Sequence, residues 1–354
     1  MTAALSTTTF PTPESPDAAL AGWLRDLDAL IPTPSAYRVE RVGRAEALDL
    51  LRCDEGVLDA LVRRGLACQG SPGDEHFDYC DVMNLGLYSG SGRSLPEMGQ
   101  NYAMRFARGP ATAWAATRQW RLRAELRCPG GPACPGGAWR LGRPAPEHFG
   151  GSSGEWQAQP GELTMAGDQV VLAGRERVAL GGHVETRGAA MRVRSPAIRA
   201  LFDQVLADLE SGQYRFQWLP HALRTDPDAA VANRTMDCAS IALWLERVAR
   251  ALGLEARTRK GWMLGLLPVE HAWAELRDED GAWKVIDPLL PALARRLPGT
   301  NLEEFAAFCL GSRSSYVLPF ACPAEQALAT HTCAGQTVPS DILGAVRPRP
   351  TLGG

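Results

Sequence analysis

Between Glu270 and Pro288 polar and apolar residues alternate in two runs, Glu270-His-Ala-Trp-Ala-Glu-Leu276 and Ala282-Trp-Lys-Val-Ile-Asp-Pro288, separated by Arg277-Asp-Glu-Asp-Gly281. A period of two on both sides of a Glu-Asp-Gly turn predicts a β-hairpin. Counting outward from the turn sets its register. With Glu279-Asp280-Gly281 as a three-residue loop, Asp278 faces Ala282 and Trp273 faces Asp287, which puts His271 one diagonal step from Asp287 on the same face, within hydrogen-bond reach. A two- or four-residue loop would send the two side chains to opposite faces. Glycine at the last loop position is what the odd loop uses.

A second pattern begins at Arg234-Thr-Met-Asp-Cys-Ala-Ser240. Ile241, Trp244, Leu245, Val248 and Leu252 follow at helical spacing and stop at Gly253, so Cys238 falls in the first turn of a buried helix. There the unpaired amides and the positive end of the helix dipole favour the thiolate, the reactive form of the side chain. Asp237 reads as the cap, accepting from the amides of the next turn. A single cysteine on a helix serves packing more often than chemistry, so its partners decide.

An Asp-Cys pair at a helix start, His-Ala-Trp on a strand and Trp-Lys-Val-Ile-Asp-Pro on the next, in that order, closely resemble the transglutaminase-like superfamily, relatives of the papain-like thiol proteases, over about residues 196 to 290. The resemblance implies a nucleophile helix packed on an antiparallel sheet, with Cys238 forming a thioester, His271 taking and returning the proton, and Asp287 fixing the imidazole. It implies a peptide, amide or thioester acyl donor. The expected acceptor is an amine, as in family members that form amides or cross-links, bacterial natural-product enzymes among them. Water as acceptor, giving a cysteine peptidase or amidase, is the alternative. A DNA-binding regulator or a scaffold with an inactive triad is the alternative of another class. Such chemistry also needs an oxyanion hole, made by the amide of Cys238 and a second donor. Gln217 or Trp218, in Phe216-Gln-Trp-Leu-Pro220, is a candidate for it, with core packing as the competing role. Trp262 and Trp273 are candidates to wall the acyl site and exclude water, with core packing as the competing role.

The rest of the chain divides by composition into an α+β arrangement. Residues 1 to 36 read as a loose tail followed by a packing helix that opens at Ser15-Pro16. Residues 37 to 95 run helix (Arg44 to Leu51), turn, helix (Asp54 to Gly65), a Gly/Pro wing and a further helix from about Asp78, an order that resembles an excisionase-like winged helix-turn-helix. That family binds DNA through basic elements, whereas Tyr37 to Gly90 carries six arginines against ten acids. A helical unit that packs on the catalytic part or recognises a peptide is the favoured reading. Residues 96 to 194 combine a Gly/Pro-rich linker with a β-rich section, most clearly in the short apolar runs between 161 and 194. Residues 195 to 354 form the catalytic domain, its last part from 290 onward extending it, with Asn301 capping a helix through Glu304.

Composition removes several function classes. A net charge of -3 gives no overall positive field for nucleic acid or anionic lipid, and no stretch is apolar for long enough to span a bilayer. The opening ten residues lack the pattern of a secretory signal, so a cytoplasmic location is expected. Nine cysteines, an odd number spread widely, argue for reduced thiols over a disulfide framework. Cys128 and Cys134 are six residues apart and could share a metal, but zinc wants four ligands and no second pair lies nearby. His331 lies near Cys333, Cys322 and Cys309, at spacings that match no zinc motif. The expectation is therefore no metal and no cofactor, and with no glycine-rich phosphate loop, no nucleotide. His76, His148, His183 and His221 receive no role.

Overall fold

The structure, a computed structural model, describes residues 16–128, 131–159, 162–174, 176–265 and 268–348. The expected loose tail and the Ser15 cap lie outside them. The chain divides into two compact units, one of residues 1–101 with 217–220, the other of residues 102–216 with 221–354.

In the first unit the helix Pro16–Ala29 is followed by the strand Glu40–Gly43 and the helices Arg44–Leu51 and Glu55–Arg64. Asp54 starts the second of these two helices by accepting from the amide of Val57, and Gly65 ends it at φ 120°. The strands Cys68–Gln69 and His76–Asp78 complete a three-stranded sheet with His76–Asp78 in the middle, and Asp78 caps the helix Tyr79–Tyr88. Trp23, Leu51, Leu58, Leu61, Phe77 and Leu85 close the core. Gln217 belongs to this unit: its amide oxygen accepts from the backbone N–H of Ile31 at 3.0 Å and its amide nitrogen donates to the carbonyl of Ile31 at 2.8 Å.

The second unit is built on a five-stranded sheet in the order Leu310–Gly311, Trp283–Ile286, Pro268–Arg277, Ala256–Leu264, Val317–Pro319. The helix Cys238–Ala251 buries Ile241, Ala242, Leu245 and Ala249 in one core with Ala272, Ala274, Leu276 and Ile286 of the sheet and Ile198, Phe202 and Val205 of the helix Pro196–Ser211. Each large apolar side chain fully removed from water there stabilises the fold by roughly 1.5–3 kcal/mol. Asn301 caps the helix Leu302–Cys309 as expected, accepting from the amide of Glu304.

Two further sheets take up the middle of the chain. One runs Gln336–Pro339, Ala329–Cys333, Gly137–Gly142, Gln169–Gly174, Leu163–Ala166, the other Asp341–Pro348, Thr117–Arg127, Arg177–Arg187, Ser152–Gln159. Trp120, Leu122, Trp139, Leu141, Val170, Leu172 and Leu180 from both share one core. The strands expected after residue 161 are present, but three long ones also occupy the Gly/Pro-rich stretch before it. Thr117–Arg127 buries every second residue from Trp120 to Leu126, a period hidden in the sequence by the arginines and glutamate between them. The end of the chain differs from expectation as well: residues 329–348 return to these sheets instead of extending the catalytic one, pairing with Gly137–Gly142 and Thr117–Arg127. Among the described residues no helix is long and apolar enough to cross a membrane.

Candidate active site

Cys238 is placed by a reciprocal cap. The Asp237 carboxylate accepts from the amides of Ala239 and Ser240 at 3.0 Å each, while the Ser240 hydroxyl oxygen accepts from the amide of Asp237 at 2.8 Å. Satisfying the first turn from both sides fixes where the helix begins and holds the sulfur at its positive end.

His271 and Asp287 are placed by the hairpin. Arg277 pairs with Trp283, Leu276 with Lys284, Glu275 with Val285 and Ala274 with Ile286. The amide of Asp278 donates to Ala282 at 3.0 Å, so the loop is Glu279-Asp280-Gly281, with Gly281 at φ 75° where a side chain would be strained. Continuing that register sets Asp287 opposite Trp273, and the diagonal contact follows: His271 Nε2 lies 2.6 Å from Asp287 Oδ2. On its other side the histidine strand pairs His271 with Gly261, where a Cβ would run into the Leu318 carbonyl and the Trp273 ring. Glycine there lets three strands and a tryptophan close around the imidazole.

His271 is 2% exposed and Asp287 5%. Burial pulls the imidazole pKa down, but the charge and hydrogen bond of Asp287, together with the Cys238 sulfur within hydrogen-bond reach of the ring, outweigh it and raise the pKa to about 10. With Nε2 committed to Asp287, Nδ1 is the nitrogen left for the sulfur. The proton therefore rests on the imidazole across the neutral range.

A further group, invisible in the sequence reading, touches the same sulfur. Arg224 donates through Nε to Asp237 at 2.7 Å and through Nη1 to Glu270 at 3.2 Å, and its Nη2 faces Cys238 Sγ at 3.7 Å. Asp237 and Glu270 immediately precede the cysteine and the histidine, so one guanidinium ties together the two segments that carry them. Lys260, 1% exposed, supports Glu270 from the other side at 3.1 Å. Burial opposes the charge on Glu270, yet Arg224 and Lys260 prevail and hold its pKa below the ordinary value. The two acids beside the reactive residues were the available signal: buried carboxylates need cations.

The remaining candidates separate. Trp273 stands on the His271 face, its ring centroid 6.0 Å from the imidazole and its indole N–H on Glu275 at 3.3 Å. It borders a cavity of about 30 Å³ with Asp287, Phe149 and Phe308, room for a water but not for an acyl chain. Trp262 pairs with Glu270 and so projects from the opposite face to His271. At 1% exposure, edge-on to Phe320 at 4.7 Å, it is core and has no surface to offer a substrate. The strand alternation that brings His271 inward carries Trp262 away. The Gln217 side chain is spent on Ile31, and Trp218 gives its backbone N–H to Asn84 at 2.7 Å, so those two donors are not free for an oxyanion. A cleft of about 560 Å³ opens beside His221, lined also by Arg140, Asp168, Gln169 and Gln326. Gln326 reaches the cluster, its carbonyl accepting from Lys260 at 2.7 Å.

Residues 185–288 match the family model of the Transglutaminase-like superfamily, a span that contains Cys238, His271 and Asp287. A solved structure described as a putative cysteine protease from Cytophaga hutchinsonii is similar at 14% identity, covering 68% of this chain and 93% of that one, with a TM-score of 0.38. A likeness of that depth carries no argument about activity. No curated protein matches the chain.

Proposed function

From a transglutaminase-like domain, we propose a cysteine acyltransferase in which Cys238 is the nucleophile, His271 the proton carrier and Asp287 the group that orients it. The observation that supports this best is the 2.6 Å His271–Asp287 bond in a buried site where the Cys238 sulfur also acts on the imidazole. The Cys238 thiolate attacks the carbonyl carbon of a peptide, amide or thioester, and the amide of Cys238 donates to the oxyanion. The imidazolium then protonates the leaving amine or thiol as its bond to carbon breaks, leaving a thioester and a neutral imidazole. An acceptor amine gives its proton to that imidazole while attacking the thioester, which expels the thiolate and restores the ion pair. Arg224 stabilises negative charge on the sulfur at both ends of the cycle.

An amine is the proposed acceptor, as the resemblance to amide-forming members of the superfamily implies. Hydrolysis, the peptidase reading, is tested alongside. Purified protein is incubated with a panel of thioesters and peptides, with and without primary amines, and followed by intact mass and product analysis. A covalent adduct on Cys238 that passes to the amine is the expected result. Free acid with no amide product makes the protein a peptidase or amidase, and no adduct from any donor points to an inactive scaffold.

We further propose that the first unit, which by its sequence resembles a winged helix, recognises protein or peptide and not DNA. Three of its arginines are already paired with acids, Arg38 with Glu40, Arg44 with Asp59 and Glu75, and Arg64 with Asp28. With six arginines against ten acids, the segment from Tyr37 to Gly90 offers no net positive charge to phosphates.

A further inference from the structure

Two pairs of soft ligands that are incomplete along the sequence are completed by the fold. Cys128 follows the strand Thr117–Arg127, and Cys134 follows the short turn Gly131–Ala133. His331 and Cys333 sit two apart on the strand Ala329–Cys333, which places them on one face, and that strand pairs with Gly137–Gly142 so that His331 lies opposite Trp139. Segments almost two hundred residues apart thereby converge, and the three sulfurs and the imidazole nitrogen all lie within 4.8 Å of one another. Cys134 Sγ is 3.1 Å from His331 Nε2 and 3.6 Å from Cys333 Sγ.

Those separations have a specific meaning. Sulfur ligands about 2.3 Å and a nitrogen about 2.0–2.1 Å from a tetrahedral zinc stand roughly 3.5–3.8 Å from each other, whereas a disulfide would hold two sulfurs at about 2.05 Å. The imidazole is held in place by stacking on Trp139, centroids 3.9 Å apart at 24°, and it is fully buried, with Cys128 and Cys134 nearly so. Apolar packing alone gives no reason for four metal-ligating side chains to aim at one point. We propose that Cys128, Cys134, His331 and Cys333 bind one zinc ion in a closed Cys₃His site. With all four positions taken by protein, the metal has no open coordination site for a substrate. Its role is structural: it clips the 128–134 segment to the C-terminal hairpin, with loss of the three thiol protons on binding. This holds whether or not Cys238 is active.

The test uses the full chain, purified under reducing conditions without added chelator, and elemental analysis of the wild-type protein. Close to one zinc per chain is expected, released by a mercurial reagent and retained against brief EDTA treatment. Reconstitution with cobalt should give the thiolate-to-metal charge-transfer band and visible d–d bands of a tetrahedral site. Cys333→Ser and His331→Ala should lose most of the metal and unfold at lower temperature, while Cys53→Ser and Cys322→Ser keep it. Should a variant prove insoluble, the wild-type metal content and cobalt spectrum still decide. Less than about a tenth of a metal per chain after anaerobic reduction and zinc addition overturns the proposal, as does a Cys134–Cys333 disulfide in freshly isolated protein, or equal metal loss in the Cys322→Ser control.

Discussion

The molecule holds two clusters in which cysteine meets histidine, and they are arranged for opposite ends. Around Cys238 the imidazole holds Asp287 through Nε2 and is also acted on by a single sulfur. Around Cys134 three sulfurs and an imidazole nitrogen lie within 4.8 Å of one another. A carboxylate behind the histidine and a helix start beneath the sulfur suit the proposed nucleophile, while converging soft donors suit the proposed ligand set. Residue type does not distinguish the two sites, and the geometry of the neighbours does.

Several substitutions break or sharpen that contrast. Cys238→Ala should lower turnover by roughly 10⁴–10⁶-fold, assayed with whichever donor labels the wild type, and leave the metal content unchanged. His271→Ala should cost roughly 10²–10⁴-fold, and the corresponding His331→Ala should spare the chemistry of the triad in protein that remains folded. Asp287→Asn removes the charge that holds the imidazole pKa near 10, so the alkaline limb of the rate profile should move down towards the ordinary histidine range near 6.5, read from kcat/KM against pH. The same pKa has a stability consequence. A group raised on folding contributes fully below its unfolded value and loses that contribution as the pH rises through its folded one. The wild type should therefore lose stability between about 6.5 and 10, and Asp287→Asn should lose less across that window, as followed by denaturant melts. Arg224→Gln leaves Asp237 and Glu270 without their shared cation and should slow alkylation of Cys238 by about tenfold. The smallest effect is expected from Gly281→Ala, about 1 kcal/mol of stability from forcing a side chain into the left-handed region.

The catalytic half was readable because its information is local. The Glu-Asp-Gly loop fixes parity, parity fixes the face shared by His271 and Asp287, and Asp237 with the stripe from Ile241 fixes the helix start. What escaped depends on contacts between distant segments. Arg224 takes its meaning from Asp237 and Glu270, which only the folded sheet brings to it. Trp262, a candidate wall of the acyl site with core packing as its competing role, is turned away from His271 by the pairing of Gly261 with His271. The second ligand pair for Cys128 and Cys134 was missed for the same reason, since the return of Ala329–Cys333 to Gly137–Gly142 has no local signature. The strand Thr117–Arg127 also hides its period, behind the arginines and glutamate that stand between its apolar residues.

The central assignment is tested most directly by alkylating the native protein with iodoacetamide across pH and quantifying each cysteine by peptide mass spectrometry. Cys238 should react faster than the other eight cysteines from near-neutral pH, and both His271→Ala and Asp287→Asn should abolish most of that advantage. A Cys238 no faster than the rest, and indifferent to the loss of His271, would contradict the account.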